Sequence, residues 1–137
     1  MRVLADTGAL YALADRRDEW HERTRGWWDT YREPLTVPVT VLPETTWMIG
    51  TRLGPRVEAA FVRGFVAGAH EVEPLAEEDL ARAADLMMGY ADLPLGFVDA
   101  SIVAMAERLD VVTILTTDRR HFGVVRPAHC ERLRLVP

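Results

Sequence analysis

Apolar and polar positions follow two different periods along this chain. Short, mostly apolar runs of strand length occur at residues 2–5, 35–39 and 111–115, with weaker strand candidates at 70–72, 124–125 and 133–136. Apolar residues recur at helical spacing over residues 8–14, 20–31, 41–51, 55–67, 77–90 and 95–109. Strands that alternate with helices predict an α/β fold with a central, mostly parallel, twisted sheet of about five strands, covered by helices on both faces.

The chain is expected to form one domain over residues 1–137. It contains no repeat, low-complexity tract or long linker, and its 137 residues fit a single domain. A hydrophobic fraction of 49% is enough to build a core for a domain of this size.

Four acidic residues fall where an apolar run ends or a helix begins: Asp6, Glu44, Asp99 and Asp118. In an open parallel sheet the carboxyl ends of the strands line one crevice, so we expect these side chains to meet there. Carboxylates held together repel one another and lose solvation. A divalent cation bound by oxygen ligands relieves both effects, so the pattern predicts a metal site.

Asp99 occupies the least ordinary position of the four. With each residue turning the helical wheel by about 100°, Asp99 falls between Ala106 and Val103, inside the apolar arc of its helix. An acid there is costly unless it is neutral, paired with an arginine, bound to metal, or close enough to the helix start to reach water. Because three other acids are expected at the same edge of the sheet, we favour metal binding as the interpretation of Asp99.

The other three acids also have simpler interpretations. Asp6 is placed to cap the helix that follows it, and Asp118 is placed to cap the short turn at residues 119–122. Glu44 is also an ordinary first-turn glutamate. Each interpretation stays open for one residue alone, but the arrival of all four at one edge favours the metal site.

The charge pattern limits how the protein can bind its partners. The formal net charge of −5 argues against nucleic-acid binding by bulk attraction, so such binding needs local basic groups or metal–phosphate bridging. All sixteen basic residues are arginine, which removes every mechanism that needs a lysine, including the Gly-Lys-Ser/Thr phosphate loop and most aspartate phosphotransfer domains.

Composition also bears on the compartment. A single cysteine, Cys130, excludes an internal disulfide framework and suggests a reducing environment. No apolar run approaches the roughly 18 residues of a transmembrane helix. Acids interrupt the apolar stretch near the N-terminus, so no signal peptide is predicted. We expect a cytoplasmic protein with no membrane partner.

The acidic motifs and their order resemble the PIN-domain ribonucleases, in particular the VapC toxins of bacterial toxin–antitoxin pairs. Residues 3–10 (VLADTGAL) resemble the opening strand and Asp-Thr-Ser/Gly motif of that family. Glu44 lies where its characteristic glutamate is expected. Residues 90–100 (YADLPLGFVDA) and 115–122 (LTTDRRHF) are similar to its third and fourth acidic motifs. The similarity spans essentially the whole chain, in the right order.

This resemblance implies an endoribonuclease that depends on Mg²⁺ or Mn²⁺. It makes Asp6 and Asp99 direct metal ligands, while Glu44 and Asp118 hold a second ion or bind through waters. Thr7 and Thr116 become supporting polar groups. The implied partners are an RNA substrate, a cognate VapB-like antitoxin and a second copy of the chain in a homodimer. The alternative is a non-catalytic PIN-like module that binds protein or RNA.

Two other segments have open interpretations. Asp92 is either part of the acidic site or a turn residue, and the run from Arg119 to His121 either holds RNA phosphates or forms a solvated turn.

An aromatic stripe on the second predicted helix contains Trp20, Trp27, Trp28 and Tyr31. Most of these rings fit core packing, but we expect Trp20 or Trp28 to contact the antitoxin. The motif Asp6-Thr7-Gly8 also occurs in aspartic proteases, but those are all-β and this one runs into a helical pattern.

Overall fold

A five-stranded sheet forms the centre of the molecule in the computed structural model, which describes residues 1–137. All neighbouring strands pair in parallel. The strands are β1 (Val3–Ala5), β2 (Leu35–Pro38), β3 (His70–Glu73), β4 (Thr113–Leu115) and β5 (Arg134–Val136). Their order across the sheet is β3-β2-β1-β4-β5, which confirms the predicted parallel sheet of five strands.

Seven helices connect the strands: α1 (Thr7–Ala14), α2 (His21–Tyr31), α3 (Leu42–Leu53), α4 (Pro55–Val66), α5 (Glu77–Gly89), α6 (Phe97–Leu109) and α7 (Arg119–Val124). A single 3₁₀ turn, Val39–Val41, precedes α3. Pro43 and Pro55 lie in the first turns of α3 and α4, where a missing N–H costs nothing. Gly54, at φ 94°, separates these two helices with a backbone conformation that favours glycine. None of the helices has the length and apolar character needed to cross a membrane.

The strand order places the helices on both faces of the sheet. The chain passes from β1 to β2 to β3 in one direction, then crosses back to β4 and continues to β5. Right-handed crossovers therefore put α1 to α4 on one face and α5 to α7 on the other. The helix contacts agree, since α1 packs on α2 and α3, α3 packs on α4, and α5 packs on α6. The order reverses between β1 and β4, which creates a crevice at the carboxyl ends of these strands.

The core lies around the central strands and α6. Every residue of β1 and β4 is buried, as expected for strands covered on both faces. Seven consecutive residues of α6, from Ala100 to Ala106, are also buried. A helix that is buried on all sides forms a rigid base, and it fixes the position of Asp99 in its first turn.

One predicted strand is wrong. Residues 124–125 do not form a strand, because Val124 ends α7 and Val125 is its C-cap. The side chain of Asp118 accepts a hydrogen bond from the backbone N of His121, which starts a helix in this segment. This local cap outweighs the β-propensity of two adjacent valines. The other predicted elements are present, with ends that shift by at most two residues.

Candidate active site

Two adjacent strands bring Asp6 and Asp118 to the same edge of the sheet. Asp6 follows β1 and is the N-cap of α1, while Asp118 follows β4 and is the N-cap of α7. Because β1 and β4 pair directly, both acids lie at the point where the strand order reverses. The cap interpretations of both residues are therefore correct, and they are compatible with a ligand site at the same edge.

Thr116 joins these two acids through its hydroxyl group. Its Oγ1 donates to Asp6 Oδ2 at 2.9 Å and accepts from the backbone N of Asp118 at 2.9 Å. Thr116 is fully buried, so this geometry is held by the surrounding core. Gly8 lets α1 start close to the same segment, because a β-carbon at this position would clash with the Thr117 hydroxyl.

Asp99 belongs to α6, which lies on the face of the sheet opposite to α1, and its side chain joins Asp6 and Asp118 at the same edge. Partial burial raises the pKa of Asp99 to about 6, and the nearby charges of Asp6, Asp118 and Glu44 add to this effect, while His121 opposes it. No arginine or histidine nitrogen lies within 4.0 Å of the Asp99 carboxylate. The arginine-partner interpretation of this residue is therefore wrong.

Asp6 is the most buried of the four acids, with 7% of its surface exposed. Burial raises its pKa, and the charges of Asp118 and Glu44 act in the same direction. Hydrogen bonds from Thr116 and from the backbone N of Thr7 oppose the rise but do not cancel it. The site thus concentrates negative charge in a poorly solvated place, which is the condition under which a cation binds.

Glu44 approaches from a third direction. It lies exposed in the first turn of α3, and its charge still reaches both Asp6 and Asp99. A hydrogen bond of 2.8 Å between the hydroxyls of Thr40 and Ser101 ties the 3₁₀ turn before α3 to the first turns of α6. This contact fixes the elements that carry Glu44 and Asp99 relative to each other.

The sequence indicated His121 only as a possible RNA-phosphate contact, and its place beside the acids was missed. The possible ligand atoms of Asp99, Asp118 and His121 all lie within 4.8 Å of one another. His121 lies three residues after Asp118, so both side chains share one face of α7, and its Nδ1 lies 2.7 Å from Asp118 Oδ2. The i, i+3 spacing of an acid and a histidine was the available signal.

The donors in this group fit a hard divalent cation. Carboxylate oxygens are the ligands that Mg²⁺ and Mn²⁺ prefer. Each oxygen of Asp6 and Asp118 accepts one hydrogen bond here and keeps a further lone pair. The hydroxyl of Thr7, beside Asp6, is buried without a hydrogen-bond partner, so the site retains polar bonding capacity that the protein does not use.

The remaining sequence candidates lie outside this group. Asp92 is exposed in the turn between α5 and α6, and the carboxylate makes no hydrogen bond, which favours the turn interpretation. Arg119 donates through its guanidinium to the carbonyl oxygen of Pro137, while Arg120 is exposed at the start of α7.

Comparison with known proteins gives a match over nearly the whole chain. The PIN domain family matches residues 3–126. Ribonuclease VapC26 of Mycobacterium tuberculosis (strain ATCC 25618 / H37Rv) is 33% identical over 135 residues, which cover 98% of this chain and 100% of that protein.

Solved structures show the same fold at lower identity. The sarcin-ricin loop cleaving toxin VapC20 of M. tuberculosis superposes with a TM-score of 0.82 at 19% identity, over 93% of this chain and 98% of that one. DNA-bound VapBC from Salmonella typhimurium gives a TM-score of 0.73 at 18% identity, over 98% and 96% of the two chains. The family match, the curated relative and the convergent acids agree, and this chain belongs to the PIN-domain family, among the VapC-type ribonucleases.

Proposed function

We propose that this protein is a metal-dependent endoribonuclease that cleaves RNA phosphodiester bonds and acts as the toxin of a VapBC-type pair. The observation that carries the proposal is that Asp6, Glu44, Asp99 and Asp118 come from four different elements to one edge, where neighbouring acids help to raise the pKa values of Asp6 and Asp99. The 33% identity to a protein named as a ribonuclease supports the same activity.

The four acids divide the metal-binding work in this proposal. Asp6 and Asp99 are direct ligands of Mg²⁺ or Mn²⁺, while Glu44 and Asp118 bind a second ion or bind through waters. A bound ion lowers the pKa of a water molecule and neutralises the charge that develops on the phosphate. No lysine or cysteine takes part, in agreement with a chain that has no lysine and only one cysteine.

The supporting residues hold these carboxylates in place. Thr116 orients Asp6 with its hydroxyl hydrogen, so the free lone pairs of the carboxylate face away from this bond. His121 fixes Asp118 by two contacts, one through its backbone N and one through its ring. Asp99 must lose its proton to act as a ligand, and this step occurs in the range near pH 6 when no cation is bound.

The proposed partner is a VapB-like antitoxin. Two relatives of the same fold were solved as VapBC complexes, from S. typhimurium and Rickettsia felis. Trp20 and Trp28 are only partly buried, so both keep surface for a partner. Trp27, Trp28 and Tyr31 also pack partly on the core, and Trp27 stacks on Tyr31 at 4.9 Å, so Trp20 is the ring of the stripe that does not contact the core. Trp20→Ala should weaken the toxin–antitoxin complex in a calorimetric titration, whereas unchanged affinity would move the contact away from Trp20.

Two further properties complete the proposal. We infer a homodimer, which light scattering of the purified protein tests. We also infer a cytoplasmic location, which the single free thiol of Cys130 supports.

The activity is tested by incubating the purified protein with total RNA in Mg²⁺, in Mn²⁺ and in EDTA. We expect cleavage at defined sites with metal and none with EDTA, and mapping of the cut ends would identify the substrate. Intact RNA in both metals, from a folded protein, would leave the non-catalytic binding module as the better description.

A further inference from the structure

A basic concavity lies at the far ends of the two helices that start at the active site. It has a volume of about 490 Å³, and its charged lining consists of Arg16, Arg17, Arg52 and Asp15, which gives a formal charge of +2. Three other concavities of about 470 to 630 Å³ have linings that are neutral or carry a net negative charge. In a chain with a net charge of −5, such a local excess of arginine is the kind of group that nucleic-acid binding requires.

Contacts with Tyr11 and with the backbone hold the side chains of this concavity in place. The buried hydroxyl of Tyr11 donates to Asp15 Oδ2 at 2.5 Å, and Asp15 Oδ1 accepts from the backbone N of Arg17 at 2.9 Å. The guanidinium of Arg52 lies 5.0 Å from the centre of the Tyr11 ring, in a cation–π arrangement. These contacts fix the loop and the helix end that carry the positive charges.

None of the three guanidinium groups is neutralised by a salt bridge. No carboxylate oxygen lies within 4.0 Å of a guanidinium nitrogen of Arg16, Arg17 or Arg52. All three residues are exposed. Arginine binds phosphate through two parallel hydrogen bonds, which suits a polyanion with regularly spaced phosphates.

The position of the concavity relates it to the acidic cluster. Asp6 caps the start of α1 and Asp15 caps its end, while α3 has Glu44 in its first turn and Arg52 in its last. Eight residues of helix span about 12 Å. An RNA strand bound at the acidic cluster is long enough for its backbone phosphates to continue over that distance.

We propose that Arg16, Arg17 and Arg52 form a second contact for the RNA, an arginine pocket that binds backbone phosphates about 12 Å from the carboxylate cluster. This inference rests on the proposed function, and it adds a substrate-positioning site to it. The pocket holds the strand while the acids act on one phosphodiester bond, so it affects binding of the RNA and leaves the chemical step unchanged.

The first test measures RNA binding without divalent metal, so that it does not depend on cleavage. A fluorescein-labelled single-stranded RNA of mixed sequence is titrated in EDTA by anisotropy at several salt concentrations. The double variant Arg16→Gln/Arg17→Gln should bind more weakly, and its plot of log K against log salt should be shallower by about 1.4, because each lost phosphate contact removes about 0.7. Thermal melts verify that the variant is folded.

The matched control is Arg132→Gln/Arg134→Gln, which removes the same charge from two exposed arginines beside and within β5. It should keep the wild-type salt slope. In the cleavage assay, the pocket variant should show a KM raised about tenfold with unchanged kcat, because uniform binding is lost. Equal slopes and equal KM values in the two double variants would overturn the pocket and leave the proposed function intact.

Two other outcomes separate the alternatives. Failure of the wild type to cleave RNA would overturn the proposed function, while the metal-free titration would still decide on the pocket. If the pocket variant binds RNA with the wild-type salt slope but loses affinity for the antitoxin, the arginines contact the protein partner and the RNA assignment is overturned.

Discussion

At the scale of single residues, the site depends on carboxylates that the protein itself does not neutralise. We expect Asp6→Asn and Asp99→Asn each to abolish metal-dependent RNA cleavage while the fold is retained, because asparagine keeps the size and loses the charge that attracts the cation. The measurement is cleavage of a structured RNA in Mg²⁺, alongside circular dichroism. Asp92→Asn is the matched control, since that carboxylate is exposed in a turn and should be dispensable. Full activity of either folded variant would remove that residue from the site.

The raised pKa of Asp99 has a consequence for stability. Its folded pKa of about 6 lies above its ordinary value of 3.8, so the folded state binds more protons between these pH values and its stability falls as pH rises through them. Because solvent screens this partly open site, we expect the free energy of unfolding to fall by only about 1–2 kcal/mol over this pH range. Urea unfolding in EDTA should therefore show Asp99→Asn gaining stability over the wild type at neutral pH but not near pH 4. Parallel pH curves for the two proteins would contradict this.

The sequence was informative about these residues to different degrees. An acid at a strand end is visible without any structure, which is why the four carboxylates and Thr116 could be predicted to gather. His121 was missed as a partner of the acids because its position depends on whether residues 119–124 form a helix, and the adjacent valines Val124 and Val125 favour a strand. Its partnership with Asp118 became visible only once the cap had set the helical spacing.

At the scale of elements, α6 must hold Asp99 in position, and ion pairs of Arg82 with Glu107 and of Asp79 with Arg108 connect α6 to α5. Asp79 is 1% exposed, caps the backbone N of Ala76 and contacts Arg108 of α6 at 3.0 Å. Asp79→Ala removes the cap and leaves a partly buried guanidinium without its main partner. We expect a loss of about 2–3 kcal/mol in the free energy of unfolding, below the value for a fully buried pair because Arg108 is partly exposed.

The neighbouring Glu78 provides the control for this prediction. Its side chain is 73% exposed and lies 4.0 Å from the same arginine. Glu78→Ala should change the free energy of unfolding by less than about 0.5 kcal/mol in the same urea titration. Equal losses for the two variants would mean that the α5–α6 contact does not depend on the buried carboxylate.

The elements were predicted better than their packing. Helical and strand periods identify most of the elements, because a buried face imposes its own spacing on the sequence. The same patterns do not show which helix ends come together. The Tyr11–Asp15–Arg52 contacts join helices α1 and α3, and no local pattern indicates that pairing.

At the scale of the whole molecule, the strand order decides what the acids can do together. Asp6 and Asp118 are 112 residues apart in the chain and meet only because β4 pairs with β1. Alternating strands and helices predicted a parallel sheet, and the general rule for ligands in such sheets predicted the edge. The order β3-β2-β1-β4-β5 itself was not predictable, because it depends on which strand edges remain free after each crossover.

This arrangement makes the stability of the whole fold sensitive to divalent cations. Folding brings the carboxylates together and the unfolded chain separates them, so a cation binds the folded cluster far better than the unfolded chain. Mg²⁺ or Mn²⁺ should therefore raise the melting temperature of the wild type, with about 2.7 kcal/mol of stabilisation when free metal is 100 times its dissociation constant.

Asp99→Asn tests whether this stabilisation comes from one shared site. At neutral pH the variant should be more stable than the wild type in EDTA, because one repelling charge is gone, and it should gain less from added metal, because one ligand is gone. Thermal scans of both proteins, with EDTA and with excess metal, must be run at fixed ionic strength so that general screening is constant. Identical responses to metal would show that Asp99 does not share a cation with the other acids. The proposed metal ligands would then be Asp6, Asp118 and Glu44 alone.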